Sequence, residues 1–197
     1  RHITAYGQLV RELVTESNAD AAALQYLDTM DRSAKQLGRM IDGLIRLGRI
    51  GLDGVQLQPV DVGAVVADVV AALTPRVAGR ELQWVLPPPG AMPLVQGDLA
   101  LLRELFQQLL DNAVKFTARQ PQAYIELQVH CEDDAVHFSL RDNGAGFNPT
   151  HAAQLFGVFQ RLHSASEFEG LGLGLAVAHR IVRHLGGQIA LQGVPGG

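Results

Sequence analysis

The sequence predicts an α+β chain in which a helical hairpin is followed by an α/β sandwich with a mixed sheet. Residues 22–50 carry one long apolar seam with helical spacing. From residue 61 onward, segments of helical periodicity alternate with segments of strand periodicity, and two of the strands are separated only by a short acidic turn. Helices interleaved with strands, some of them joined as hairpins, are typical of such sandwiches. We therefore expect two domains, at residues 1–52 and 58–197.

Composition and charge narrow the range of partners. The chain has 197 residues, 47% of them apolar, so it can bury a sizeable core. Its formal net charge of −4 disfavours nucleic acid and anionic membranes as partners. No apolar run approaches the ~20 residues of a membrane-spanning helix. The single cysteine, Cys131, cannot form an internal disulfide. We expect a reducing, cytoplasmic setting without membrane insertion.

The helical hairpin is predicted from a heptad seam. Its positions alternate in spacing between three and four residues and are Leu27, Met30, Ala34, Leu37, Ile41, Leu44 and Gly48. A shorter apolar face in residues 1–16 and a polar turn at residues 17–20 supply an antiparallel partner helix. Because such a hairpin leaves both apolar stripes half covered, two copies packed as a four-helix bundle would hide them. The alternative is a hairpin folded back on its own domain.

The second domain begins after a loop at residues 51–59. Asp61 can cap a helix over residues 62–73, and Asp98 can cap a longer helix that reaches about Thr117. One strand face between these helices is formed by Leu82, Trp84 and Leu86. Two later strands form a hairpin, with apolar faces at Ile125, Leu127, Val129 and Cys131 and at Val136, Phe138 and Leu140. Cys131 is expected to be a small buried apolar residue.

A glycine-rich segment precedes the last predicted helix. Gly170, Gly172 and Gly174 are spaced by two, and the apolar pattern of a helix begins directly behind them. Glycine lets a ligand approach bare N–H groups, and a helix N-terminus adds partial positive charge, so an anion fits there. A flexible loop without a ligand is the alternative.

A polar stripe follows the helix that Asp98 begins. Gln108, Asn112 and Lys115 stand at i, i+4 and i+7, so they share one face opposite the apolar face. Mg²⁺ takes one or two protein oxygens together with phosphates, which makes the Asn112 carbonyl a suitable ligand and Lys115 a suitable phosphate partner. An ordinary solvated face is the alternative.

A carboxylate, Asp142, directly follows the last predicted strand. It could accept a hydrogen bond from the exocyclic amine of a base, and Gly144 and Gly146 would let a flat base lie against the backbone. A base with a carbonyl at that edge would be repelled, so adenine is preferred over guanine. Asp-Asn-Gly is also ordinary turn chemistry, which is the alternative.

Together these segments resemble the ATP-binding domain of sensor histidine kinases, in the superfamily that includes gyrase and the heat-shock chaperone ATPases. Residues 111–117 look like the family's N box, 142–146 its G1 box, 156–163 its F box and 170–174 its G2 box. The N-terminal hairpin is similar to the family's dimerisation and phosphotransfer domain. The wording of the F box is similar to that of phytochrome-like, PAS-linked kinases.

The resemblance implies a role for each of these residues. Asn112 would hold Mg²⁺, Lys115 the phosphates and Asp142 the adenine amine, while Arg161, in a mobile lid over residues 156–170, would reach the γ-phosphate. Asn112, Lys115 and Arg161 would be the catalytic residues. The expected ATP site comprises Gln108, Asn112, Lys115, Phe116, Asp142, Gly144, Gly146, Gly170, Gly172, Leu173 and Gly174, the last three binding the triphosphate through their backbone.

The chain departs from the family pattern in two respects. At position 108 most of the kinases have asparagine and the hydrolytic relatives have a water-activating glutamate; because glutamine cannot act as a general base, Gln108 argues against a gyrase-type ATPase. The acceptor histidine would lie just upstream of Arg1, since His2 has no acid beside it. The family's final sheet strand would begin where this sequence stops.

The sequence thus predicts the catalytic core of a two-component sensor histidine kinase. It would bind Mg²⁺ and ATP, transfer the γ-phosphoryl group to a histidine upstream of Arg1, and pass it to an aspartate of a response-regulator receiver domain. A homodimer and an upstream sensor domain are implied as well. One alternative is a dimerisation scaffold without phosphotransfer, and another is an ATP hydrolase that drives conformational change.

Overall fold

The structure is a computed structural model of the chain. It describes residues 7–8, 10–12, 14, 21–52, 54–132, 135–162, 168 and 170–194. The chain divides into two compact units, Arg1–Gly48 and Arg49–Gly197. Within the described ranges, every helix is too short or too polar to traverse a lipid bilayer.

The first unit is dominated by helix α1, Ala21–Arg49. Residues 7–8, 10–12 and 14 are also helical, and the guanidinium of Arg11 forms an ion pair with the carboxylate of Asp28 on α1. The predicted turn at residues 17–20 lies outside the described residues. Four side chains of the predicted seam are 44–59% exposed within the chain, namely Met30, Leu37, Ile41 and Leu44.

In the part of the second unit that the structure describes, five strands form two sheets. Their bounds are β1 Gln58–Asp61, β2 Leu82–Val85, β3 Leu94–Gly97, β4 Ala123–Glu132 and β5 Ala135–Asp142. Strands β1 and β3 form an antiparallel pair. The other sheet has the order β2-β4-β5, with β2 parallel and β5 antiparallel to β4. The predicted mixed sheet, and with it the α+β class, is confirmed.

Among the same described residues, three helices accompany these strands. They are α2 Val62–Leu73, α3 Leu99–Phe116 and α4 Gly174–His184, with 3-10 segments at Thr74–Val77 and Pro149–Phe156. Both predicted caps are confirmed: Asp61 accepts a hydrogen bond from the N–H of Ala64, and Asp98 accepts from Ala100 and Leu101. The caps fix where α2 and α3 begin.

Helix α3 is central to the core of this unit. It packs against α2 and α4. It also meets the sheet, because the Phe106 ring lies edge-on to Phe138 of β5, with centroids 5.4 Å apart. The largest fully buried side chains come from all these elements and include Val66, Val69, Leu110, Ile125, Leu127 and Ile181. A helix packed on several sides can hold its remaining polar face in a fixed place.

Two expectations fail in this unit. The segment at residues 51–59 is not wholly loop, because β1 begins at Gln58 and pairs with β3, which was not predicted. Both strands are only four residues long, and β1 contains Pro59. Cys131 is exposed rather than buried. The reason is that the pairing of β2 with β4 ends at Glu126, and the rest of β4 pairs with β5 as a two-stranded ribbon.

Candidate functional site

The C-terminal half of α3 carries the predicted polar stripe. Gln108, Asn112 and Lys115 are all half-buried on this helix. The Nζ of Lys115 donates to Oδ1 of Asn112 at 3.2 Å, and Nε2 of Gln108 donates to Oε1 of Glu104 at 2.7 Å. These bonds within the helix hold an amide, an amide and an ammonium in one row.

The glycine segment and the start of α4 meet this row. A Cβ placed on Gly174, the first residue of α4, would lie 3.0 Å from Oε1 of Gln108 and 3.3 Å from Nδ2 of Asn112. A Cβ on Gly170 would lie 3.4 Å from Nζ of Lys115. The N-cap residue Leu173 has an aliphatic side chain, so it offers no acceptor to the first amides of α4. The positive end of a helix dipole therefore lies beside an ammonium and two amides, which suits an anion.

The segment after β5 lies against the end of the same helix. Oδ1 of Asp142 accepts a hydrogen bond from the N–H of Gly144 at 2.9 Å. The N–H of Ala145 donates to the carbonyl of Phe116 at 3.2 Å, and a Cβ on Gly144 would come within 2.9 Å of that carbonyl. Only glycine permits this approach. Gly146 completes the segment with a φ of 60°.

Asn143 is a contributor that the sequence patterns did not reveal. Its side-chain amide donates to the carbonyl of Gln122 at 2.9 Å and accepts from the N–H of Tyr124 at 2.8 Å. These bonds tie the end of β5 to the start of β4 and so hold the backbone next to Asp142. Asn after Asp indicated a turn, but its two partners are distant in sequence and no local pattern marks them.

The carboxylate of Asp142 and the ammonium of Lys115 are both less stable as ions than they would be in water. Desolvation raises the pKa of Asp142, against the lowering effect of the bond from Gly144, although the carboxylate stays open to solvent on one side. Burial lowers the pKa of Lys115; the positive charge of Arg161 lowers it further, and Asp111 opposes this. A ligand that offers a hydrogen-bond donor to Asp142 and an anion to Lys115 relieves both penalties.

The F box lies against the glycine segment. The N–H of Phe159 donates to the carbonyl of Gly172 at 2.9 Å. Phe159 has a φ of 63°, a region that bulky residues rarely adopt, and a Cβ on Gly172 would lie 2.6 Å from the carbonyl oxygen of Gln160. Gly172 therefore serves the close contact with the F box.

Arg161 extends from the F box toward the polar stripe. Its guanidinium donates to the carbonyl of Phe168, and the Phe168 ring lies edge-on to Phe116 with centroids 5.2 Å apart. Phe116 thus contacts Phe168 through its ring and the segment of Asp142 through its carbonyl. Within the predicted lid, residues 163–167 and 169 lie outside the described part of the chain.

The predicted site residues are therefore neighbours through one helix. Gln108 and Asn112 contact the start of α4, Lys115 lies by Gly170, and Phe116 contacts the segment of Gly144. The arrangement can receive a polyanion at the start of α4 and a flat base near Asp142. The carbonyl of Asn112 beside that anion site fits the needs of Mg²⁺, which binds few protein oxygens when phosphates supply the rest.

Comparisons with known proteins agree with this geometry. Residues 97–197 match the model of the histidine kinase-, DNA gyrase B- and HSP90-like ATPase family. The phytochrome-like protein Cph1 of Synechocystis is 31% identical over 98% of this chain and 25% of its own length. The aerobic respiration control sensor protein ArcB of Escherichia coli is 29% identical over 91% of this chain and 24% of its own length.

Solved structures agree as well. The crystal structure of full-length ShkA in complex with AMPPNP superposes with a TM-score of 0.67 and 27% identity, over 90% of this chain and 37% of that chain. The present chain spans about a quarter of the length of Cph1 and ArcB. From the motifs, the fold and these matches, the chain belongs to the histidine kinase-, DNA gyrase B- and HSP90-like ATPase family, and its relatives include the circadian input-output histidine kinase CikA of Synechococcus elongatus.

Proposed function

We propose that this chain is the catalytic core of a two-component sensor histidine kinase, which binds Mg²⁺ and ATP and phosphorylates a histidine upstream of Arg1. The observation that carries the proposal is the convergence of two separate glycine motifs on α3, which itself carries the third motif. Gly174 lies against Asn112, Gly170 lies by Lys115, and the carbonyl of Phe116 accepts from Ala145 beside Asp142.

Each proposed role follows from the chemistry of the residue. Asp142 accepts a hydrogen bond from the adenine amine, and Gly144 and Gly146 leave room for the ring. Lys115 and Arg161 contact the phosphates, as do the backbone amides of the segment that ends at Gly174. Asn112 holds the metal ion, which neutralises phosphate charge when bound. Gln108 lies next to Asn112 against the start of α4 and supports the site there.

The proposed reaction is a phosphoryl transfer in which the protein mainly positions its reactants. A nitrogen of the acceptor imidazole attacks the γ-phosphorus, the bond from that phosphorus to the bridging oxygen breaks, and ADP leaves with the electron pair. Lys115 and Arg161 stabilise charge on the transferring group. A receiver-domain aspartate then takes the phosphoryl group from the histidine.

The partners of this core are proposals of the same kind. The exposed apolar seam of α1 supports a homodimer through a four-helix bundle, with domains at residues 1–52 and 58–197. The name of ArcB, an aerobic respiration control sensor protein, supports a sensor domain upstream. A response regulator as the recipient and a cytoplasmic setting are proposed from the resemblance of the motifs to those of sensor histidine kinases.

The test is autophosphorylation of the protein that includes the residues upstream of Arg1. With ATP labelled at the γ-phosphate and Mg²⁺, the wild type is expected to gain acid-labile label. Asn112→Ala is expected to lower this incorporation by at least ~100-fold, because it removes the metal ligand. Its dimer mass in solution should stay unchanged.

Gln107→Ala is the matched control, since Gln107 is an amide on the same helix outside the polar stripe. It should incorporate label at the wild-type level. Label in Asn112→Ala equal to that of the wild type would remove the assignment.

The labelling experiment, together with calorimetry of an ATP analogue and an assay of released phosphate, separates the alternatives. A scaffold without phosphotransfer would bind no ATP analogue and gain no label. A hydrolase would release phosphate steadily without phosphohistidine. Gln108 disfavours the hydrolase, because its amide is bonded to Glu104 and cannot remove a proton from water.

A further inference from the structure

The side chain of Arg80 reaches the C-terminal end of α3 from a turn that belongs to none of the motifs. Its Nη1 donates to the carbonyl of Val114 at 3.2 Å. Its Nη2 donates to the carbonyl of Thr117 at 2.7 Å and contacts Oγ1 of the same residue at 3.3 Å. One guanidinium thus spans two carbonyls of the last helical turn.

We propose that Arg80 is a positioning residue of the nucleotide site, acting through the end of α3. This inference rests on the proposed ATP binding. Arg80 belongs to the turn between the Thr74–Val77 segment and β2, where its own N–H donates to the carbonyl of Val77 at 3.0 Å. Its backbone is therefore anchored outside the site, and its side chain acts across to α3.

The last four carbonyls of an α-helix have no hydrogen-bond donor within the helix. In this structure each has a partner. The hydroxyl and N–H of the fully buried Thr117 donate to the carbonyl of Ala113, and the N–H of Ala118 donates to that of Lys115. The carbonyl of Val114 also accepts from the Thr117 hydroxyl at 3.2 Å, and that of Thr117 also accepts from the N–H of Gln120 at 3.0 Å. Arg80 donates to both of these carbonyls from a turn outside α3, so it adds a tie between the end of the helix and another segment. The remaining carbonyl, that of Phe116, accepts from Ala145.

The pairing of the Phe116 carbonyl links Arg80 to the site. Phe116 and Lys115 lie between the two carbonyls that the guanidinium holds, so their orientation depends on that turn remaining helical. If the turn frays, the carbonyl of Phe116 leaves the N–H of Ala145, and the close packing of Gly144 on Phe116 is lost. Asp142, bonded to Gly144, then loses its fixed position.

Arginine suits this place better than lysine. A planar guanidinium offers several N–H donors in a fixed plane, whereas a lysine ammonium is a single point that cannot span both carbonyls in the same way. The positive charge also lies at the negative end of the α3 dipole. Arg80→Lys keeps the charge and loses the geometry, so it separates the two contributions.

The test measures two quantities in the full chain. The first is the Kd of a non-hydrolysable ATP analogue with Mg²⁺, by calorimetry. The second is hydrogen exchange at the N–H of Ala145 without nucleotide, by NMR. Arg80→Met should weaken binding about tenfold and raise the exchange rate at Ala145 by a similar factor, and Arg80→Lys should lie between it and the wild type.

Arg103→Met is the matched control, because Arg103 is on the same helix and pairs with Asp68 at 2.6 Å near the opposite end. It should change neither quantity. Wild-type affinity and exchange in a folded Arg80→Met would overturn the inference. If Arg80→Met does not fold, Arg80→Lys decides, and wild-type values there overturn it.

The exchange measurement needs no nucleotide, so it separates this inference from the proposed function. Failure of the wild type to bind the analogue would contradict ATP binding. Faster exchange at Ala145 in Arg80→Met would then still show that Arg80 fixes the end of α3, and unchanged exchange would overturn both ideas.

Discussion

At the scale of single residues, the ionised side chains of Asp142 and Lys115 lower the stability of the fold when no ligand is bound. Asp142 is partly desolvated, which raises its pKa, whereas the partial burial of Lys115 and the positive charge of Arg161 both lower the pKa of that lysine. Neither ion has its best environment without a ligand. Groups with shifted pKa values often mark functional sites, because ligand binding can offset the stability that the desolvated charges cost.

Asp142→Asn is expected to raise the melting temperature of the ligand-free chain at neutral pH and to weaken binding of an ATP analogue about tenfold or more. The amide keeps an acceptor for the N–H of Gly144 but carries no charge to desolvate. Thermal melts and calorimetry check the two effects.

The stability gain should depend on pH. Because the folded pKa of Asp142 lies above its unfolded value, the wild type loses stability relative to Asp142→Asn as pH rises from the unfolded pKa to the folded pKa, and the full difference is present above the folded pKa. Below the unfolded pKa both proteins are neutral at this position. The gap in melting temperature should therefore close at acidic pH. Asp68→Asn, in an exposed pair with Arg103, is the control and should not weaken binding. A lower melting temperature for Asp142→Asn at neutral pH would contradict the account.

At the scale of elements, α3 organises the site. Its apolar face is buried, its polar face meets the segment of Gly170 and Gly174, and its C-terminal end meets the segment of Gly144. This much could be predicted from the sequence, since the helical period, the Asp98 cap and the row of Gln108, Asn112 and Lys115 are all local patterns.

Other contributions could not be predicted, because they join residues far apart in sequence. Strands β1 and β3 are short and form a two-stranded sheet of their own within the described residues. The amide of Asn143 acts on the start of β4, and the guanidinium of Arg80 acts on the end of α3. No periodicity or turn signal identifies such partners, since they depend on how the elements pack.

Two glycines of one segment should respond differently to alanine. Gly172 has a φ of 68° and a Cβ there would lie 2.6 Å from a backbone oxygen, so Gly172→Ala should cost about 1–3 kcal/mol of stability. Gly174 is helical, and the atoms nearest to a Cβ there are the ends of the Gln108 and Asn112 side chains. Gly174→Ala should therefore keep the stability and weaken nucleotide binding several-fold.

Denaturant titration and calorimetry measure these effects. Gly38→Ala is the control, since Gly38 lies within α1 with nothing inside 4 Å of its Cβ position, and it should leave binding unchanged. Equal losses of stability in Gly172→Ala and Gly174→Ala would show that the two glycines do not have separate roles.

At the scale of the whole molecule, the chain combines two compact units with different requirements. The second unit buries a core of its own, whereas α1 in the first unit leaves Met30, Leu37 and Ile41 more than half exposed. The seam was visible in the sequence because heptad spacing is local. A single chain does not show which surface covers this seam, so the four-helix bundle stays a prediction.

The central claim is that Asn112, Asp142 and the glycine segment bind one molecule of Mg²⁺-ATP. A crystal structure of the chain with Mg²⁺ and a non-hydrolysable ATP analogue tests it most directly. We expect the adenine amine within hydrogen-bond distance of Asp142, the metal on Oδ1 of Asn112 and the phosphates on the amides at the start of α4. An analogue bound elsewhere, with Asn112 and Asp142 both free of it, would contradict the claim.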